Sequence, residues 1–313
     1  MWKMGRFLLQ RIVYMIITLF IIATATFFLM KLLPGTPFSD IATKASDAQL
    51  EILQERYGLN DPVPVQYANY IIGILQGDLG VSFQFDNRNV TDLIMDRIGP
   101  SAQLGLQAMV IGTVLGIMLG MVAALRHNSL LDYSANIAAV IGISIPSFIF
   151  AGLLQYYLGV ELGWLPVAQW DGIQYTIMPT ISLMIFPMAI CARFMRTEML
   201  EVLGSDYIEL ARAKGVNSAS ILFRHAMRNA LIPVITVIGP MAVSLMTGTL
   251  VIEQIFAVPG LGEQFVRSIN MNDYPMIMGT TLFFSVLFIG VVLLVDILYG
   301  VIDPRIRVSG GKK

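Results

Sequence analysis

Few side chains in this sequence are equipped for chemistry, and their spacing narrows what that chemistry can be. His127 and His225 are the only histidines, far apart and with no Cys or acid at metal-ligand spacing, so a zinc site is not expected. The single cysteine, Cys191, excludes an internal disulfide framework and a Cys-rich metal centre, and reads as a small apolar filler. No Gly-x4-Gly-Lys-Ser/Thr segment occurs, so nothing here cradles ATP phosphates. No His lies inside an apolar run, and no Ser–Lys or Asp–Asp pair stands there as nucleophile and base. Neither a catalytic nor a metal-binding set is therefore expected. The polar residues left within or beside the apolar runs are Gln103, Gln107, Glu253 and Asp296. An acid at membrane depth is a functional candidate by default. Asp296, near the end of its run and near Arg305, reads as an anchor, and Glu253 as a candidate gate residue. Gln103 and Gln107, one helical turn apart, either line a polar path or bond neighbouring helices.

One polar stretch, 193–228, is too long for a hairpin and too patterned for a linker. Asp206 and Glu209 are spaced as a capping box, which predicts a helix starting near Tyr207. Gly215 suits the left-handed residue that ends such a helix. Asn217 or Ser218 then caps a second helix through Ile221, Leu222 and His225. Ala211 and Ala213 are small enough for a partner surface to approach closely, and Glu209, Arg212 and Lys214 supply a polar rim. By pattern alone, a solvated helix pair linking two spans is the simpler reading.

The elements that carry these residues follow from composition. Of 313 residues, 56% are hydrophobic and 13% charged, about half the usual globular share of charge. That excludes a soluble enzyme and a disordered tail; a net charge of −1 provides no basic field for nucleic acid. Six charge-free runs are long enough to cross a bilayer as helices: 12–30, 98–125, 133–160, 172–192, 229–252 and 274–295. An all-α integral membrane protein with six transmembrane helices is predicted, in contact with lipid. Placing both termini inside puts 14 of the 20 Lys and Arg residues on the inner side, so both termini are expected in the cytoplasm. The basic start, Lys3, Arg6 and Arg11, suggests a leader, but the apolar run continues past Ala23-Thr24-Ala25 to Leu33, so an uncleaved span is expected. The stretch 31–97 reads as an extracytoplasmic subdomain or lid, with a helix over 46–57. The expected organisation is 1–97 (first span plus that subdomain), 98–305 (five-helix core with the 193–228 loop) and 306–313 (tail). Gly112, Gly116 and Gly120 form a double GxxxG expected to pack against another helix of the same chain. Pro146, Pro179, Pro187, Pro233 and Pro240 are candidate bends.

The loop also carries a resemblance. Ile208-Glu209-Leu210-Ala211-Arg212-Ala213-Lys214-Gly215 resembles the EAA-loop signature of ABC-transporter importer permeases. Arg224 to Pro233 resembles the version found in dipeptide and oligopeptide permeases, with Pro233 later than the general signature places it. Further blocks match the same subfamily in order: Leu33-Pro34-Gly35-Thr36-Pro37-Phe38, Arg56-Tyr57-Gly58-Leu59, Gly77-Asp78-Leu79-Gly80, Ile145-Pro146-Ser147-Phe148 and Val258-Pro259-Gly260-Leu261-Gly262. Asp273-Tyr274-Pro275, Leu294 to Tyr299 and Asp303-Pro304-Arg305 complete the series. The long first outer segment is similar to that of the B-type subunit.

The resemblance implies a type I ABC importer-like permease fold in a bacterial plasma membrane. It implies a second homologous permease, two ATP-binding subunits that carry ATP and Mg, and an extracytoplasmic substrate-binding protein. Glu209 would contact a basic residue of the ATPase, Ala211 would give close approach, and Gly215 would turn the chain, with Arg212 and Ala213 in the same helix. Cargo and substrate-binding residues stay open: peptides, nickel chelates and glutathione all travel through such an architecture. The competing class is a secondary transporter driven by an ion gradient, which calls for paired intramembrane acids and an inverted repeat. Neither is visible in the sequence.

Overall fold

The computed structural model describes residues 2–33 and 47–302. Pro34–Phe38, Asp303-Pro304-Arg305 and the tail 306–313 lie outside the described residues, as does the side chain of Asp296. The described chain is helical, apart from loops and an isolated bridge between Val81 and Asn89. In order, the helices are α1 (Trp2–Leu32), α2 (Asp47–Arg56), α3 (Val63–Gln76), α4 (Val90–Leu125), α5 (Leu130–Ser144) and α6 (Ser147–Leu154). After them come α7 (Gln174–Leu203), α8 (Asp206–Ala213), α9 (Met227–Phe256), α10 (Leu261–Asn270) and α11 (Tyr274–Ile302). Two π-helical segments, Gln155–Glu161 and Ile221–Ala226, extend α6 and lead into α9.

Among the described residues, five helical stretches are long and apolar enough to cross a membrane, and the pair α5 and α6 with its π-helical extension makes a sixth if counted as one span. The third run, 133–160, bends at the candidate Pro146: the chain turns by 101° between Ser144 and Ser147. The cause is local. Pro146 has no N–H, so the Gly142 carbonyl loses its i+4 donor. The residue before a proline is pushed out of the helical region, and Ile145 is extended at φ −91°, ψ 123°. Its own N–H closes the last turn on the Ile141 carbonyl at 3.0 Å. The second run also begins earlier than its apolar character suggests, because α4 starts at Val90 and carries Asp92 and Arg97 in its polar first turns.

The chain divides into two compact units, 1–99 with 260–290, and 100–259 with 291–313. In the first, Val90, Leu93, Ile94, Leu261 and Met276 form a buried apolar cluster. Asp273, fully buried between α10 and α11, accepts hydrogen bonds from the Ser82 hydroxyl and, at 3.2 Å, from the Phe83 N–H. Burial pushes its carboxyl above the usual range, and those hydrogen bonds offset only part of that rise. Arg97 and Glu263 pair at 3.1 Å.

In the second unit the glycine stripe of α4 decides the packing. A Cβ on Gly112, Gly116 or Gly120 would stand 2.6, 2.4 or 2.4 Å from the carbonyl oxygens of Met184, Met188 and Ala192. The stripe thus lets α4 lie against the backbone of α7 within this chain, as the sequence predicts. Around that contact, Cys191, Met195 and Met199 of α7 pack with Ala226, Ala230, Val234 and Met241. Leu104, Ala108, Met178, Leu183, Ile252 and Phe256 belong to a second buried cluster.

Candidate functional site

The segment between α7 and α9 builds a short exposed helix. α7 stops at Gly204, and Ser205 turns the chain in an extended conformation (φ −80°, ψ 149°). Ser205 is the N-cap of α8, but its hydroxyl donates back to the Val202 carbonyl at 2.5 Å. The capping box expected from Asp206 and Glu209 is therefore absent: no side chain caps this helix, and Asp206 is its first residue. Both acids still lie in the first turn and Arg212 in the last, which suits the helix dipole.

The other end of α8 is built as the glycine predicts. Gly215 has φ +78°, in the left-handed region. Its N–H reaches the Arg212 carbonyl at 3.0 Å, and the Val216 N–H reaches the Ala211 carbonyl at 3.1 Å. This pair of bonds is a Schellman motif, and it satisfies two carbonyls that the helix end would otherwise leave open. Asn217 caps the next turn by accepting from the Ser220 N–H at 2.7 Å.

Only one residue of α8, Ile208, is fully buried, and it anchors the helix. Tyr207 and Leu210 are 44% and 56% exposed, and Glu209, Arg212, Ala213, Lys214 and Gly215 are exposed with them. Ala211 is half-buried on the flank. The Nδ2 amide of Asn229, at the start of α9, donates to the Tyr207 hydroxyl at 2.8 Å. The result is a helix tied at its base, offering apolar contacts and charges of both signs.

Sequence reasoning missed a bidentate ion pair in this unit. Arg196 of α7 donates from Nε to Asp132 Oδ1 at 2.5 Å and from Nη2 to Oδ2 at 2.8 Å. Asp132 belongs to the first turn of α5 and is 1% exposed. His127 Nδ1 stands 3.3 Å from the same carboxylate. Asp132 was visible only as the edge of an apolar run and Arg196 only as one of the inner-side basic residues; a separation of 64 positions carries no pairing signal. Of the other candidates, Gln107 accepts from the Thr180 hydroxyl at 3.1 Å, so it joins neighbouring helices, while Gln103 is exposed. Glu253 is fully buried in the last turn of α9. His225 sits half-buried in the π-helical segment, and Cys191 is buried and free. Trp164 is exposed beyond the extension of α6.

Two family models match the chain. One, described as the binding-protein-dependent transport system inner membrane component, matches residues 116–308, and its N-terminal companion matches residues 4–105. The dipeptide transport system permease protein of Lactococcus lactis subsp. cremoris is 46% identical over 97% of this chain and its whole own length. The corresponding Bacillus subtilis protein is 45% identical over 97% of this chain and 98% of its own. The oligopeptide transport system permease protein of Escherichia coli K12 is 39% identical, covering 97% of this chain and all of its own length. Among solved structures, an inward-facing form of the methionine ABC transporter MetNI superposes with a TM-score of 0.57 at 18% identity. It covers 68% of this chain and 97% of that one. An amino acid ABC transporter solved with histidines gives 0.53 at 16% identity, over 66% and 93%. Both likenesses concern the fold.

Proposed function

The chain belongs to the family of binding-protein-dependent transport system inner membrane components, and on that premise we propose that it is a permease subunit importing dipeptides or oligopeptides at the expense of ATP. The cargo class rests on relatives named as dipeptide and oligopeptide permeases that match nearly end to end. Nickel chelates and glutathione are the other cargoes this architecture admits. A gradient-driven transporter is the weaker reading, since the family models and the relatives that match belong to binding-protein-dependent transport.

In this reading the subunit pairs with a second, homologous permease. Two separate ATP-binding subunits hold ATP and Mg, and an extracytoplasmic binding protein delivers the peptide. Both termini lie in the cytoplasm of a bacterial inner membrane, so the α8 face points to the ATP-binding subunits. Glu209 contacts a basic side chain there, Leu210 and Tyr207 fill the groove, and Ala211 and Ala213 keep the approach close. Arg212 completes the rim, and Gly215 lets the chain turn back. The observation that carries this is the seat of α8: one buried anchor and a left-handed glycine end hold an otherwise exposed helix. ATP then biases two global states, one open inward and one outward.

The test is a gentle detergent pull-down of the tagged chain from its native membrane, with mass spectrometry of what it retains. Two ATP-binding subunits and a permease of similar size are expected. Recovery of the chain alone, in buffer with and without nucleotide, would overturn the reading.

A further inference from the structure

The carboxylate of Asp132 is buried yet fully engaged. Besides the Arg196 fork it accepts the Asn128 N–H at 3.0 Å and the Asn136 Nδ2 at 3.4 Å. Replacing a buried ion pair with well-packed apolar side chains is often neutral or stabilising, so stability alone does not account for this one. What the guanidinium fork adds is direction, because a bidentate contact fixes the angle between the helices it joins as well as their separation.

Its position gives that direction a use. Arg196 lies seven residues before the end of α7, about 10 Å along the helix, and only Gly204 and Ser205 separate α7 from α8. Asp132 lies in the first turn of α5. From Asp132 to Ala139 no other residue of α5 is buried. The next firm contacts are at Ala139, which is buried, and Gly142, where a Cβ would stand 3.0 Å from Ile185 and 3.1 Å from Ala189. Gly142 is about 15 Å from Asp132 along the helix and immediately precedes the 101° break. α5 thus lies along α7, clasped by the ion pair at one end and packed closely beside the break at the other.

We infer that Asp132 and Arg196 are positioning residues which transmit the displacement of α8 through α7 to α5, and so to the break between α5 and α6. This rests on the importer reading and on α8 as the coupling helix. The break lines a half-open cleft of about 210 Å³ together with Ser182, Phe186 and Leu245, so tilting α5 reshapes that cleft. The chain couples ATP use to the helices lining that space through this clasp, as well as through α8 itself.

The experiment uses the assembled transporter in liposomes, with two variants. Asp132→Leu/Arg196→Met replaces the charges with apolar side chains; Arg196→Lys keeps the charge and removes the fork. The expected result is assembly and ATP hydrolysis within twofold of wild type, with peptide transported per ATP reduced at least tenfold in the double variant and severalfold in Arg196→Lys. Equal transport per ATP in wild type and both variants overturns the inference. If neither variant assembles, the pair is a folding element and the inference is likewise overturned. A second readout is independent of cargo. Spin labels at Ser134→Cys on α5 and Glu201→Cys on α7, both exposed sites, should report a nucleotide-independent separation in wild type and a broadened or shifted one in the double variant. If wild type takes up no peptide, the importer reading fails, and the label distances still decide the clasp.

Discussion

The Nδ2 amide of Asn229 donates a 2.8 Å hydrogen bond to the Tyr207 hydroxyl, tying the first turn of α8 to the first turn of α9. Tyr207 also belongs to the exposed face of α8, so one side chain both meets solvent and braces the helix from behind. Removing the hydroxyl with Tyr207→Phe, or the amide with Asn229→Ala, deletes one exposed hydrogen bond worth about 0.5–1 kcal/mol. Local opening of the 193–228 loop should rise about two- to fivefold, read as the rate of limited proteolysis under native conditions. Unchanged cleavage would show that Ile208 alone seats the helix.

Gly215 tests the helix end. Its φ of +78° costs a β-branched residue about 1–2 kcal/mol, although nothing lies within 4 Å of the position a Cβ would take. The obstacle is therefore backbone strain and not crowding. Gly215→Val should lower recovery of the ATP-binding subunits in a pull-down severalfold, while Gly215→Asn, which tolerates the left-handed region, should stay within twofold of wild type. Equal recovery with both would remove the Schellman end from the docking argument.

Glu209 tests the contact itself. It is exposed, so Glu209→Lys leaves the core untouched, and a reversed charge in the first turn costs α8 about 0.3–1 kcal/mol. Membrane abundance should match wild type while peptide uptake falls at least tenfold. Normal uptake would refute the assignment of Glu209 to a basic partner residue.

The glycine stripe makes a prediction about stability alone. Gly116→Ala places a Cβ 2.4 Å from the Met188 carbonyl and 2.7 Å from the Cys191 Cβ, where α4 or α7 must shift. The expected cost is about 1–3 kcal/mol, seen as a lower melting temperature in detergent. Gly152→Ala in α6 is the control: nothing lies within 4 Å, and helix propensity favours alanine, so no loss is expected there. A melt unchanged by Gly116→Ala would mean that the two helices can separate at little cost.

Features that depend on neighbours along the chain were legible in advance. Charge-free runs mark membrane helices because the bilayer thickness fixes their length. Gly215 marks a helix end because only a residue tolerant of positive φ serves there, and Gly112, Gly116 and Gly120 mark a close helix contact because their spacing keeps them on one face. Asn217 announced its cap for the same local reason. The Asp206–Glu209 spacing misled, since Ser205 took the N-cap position and spent its hydroxyl on Val202 instead. Pro146 announced a bend, but not its size of 101°. The partner of the glycine stripe, the burial of Ile208 and Glu253, and the meeting of Asp132 with Arg196 were decided by tertiary structure alone. A buried charge requires a partner, but the sequence does not record which distant helix will present one.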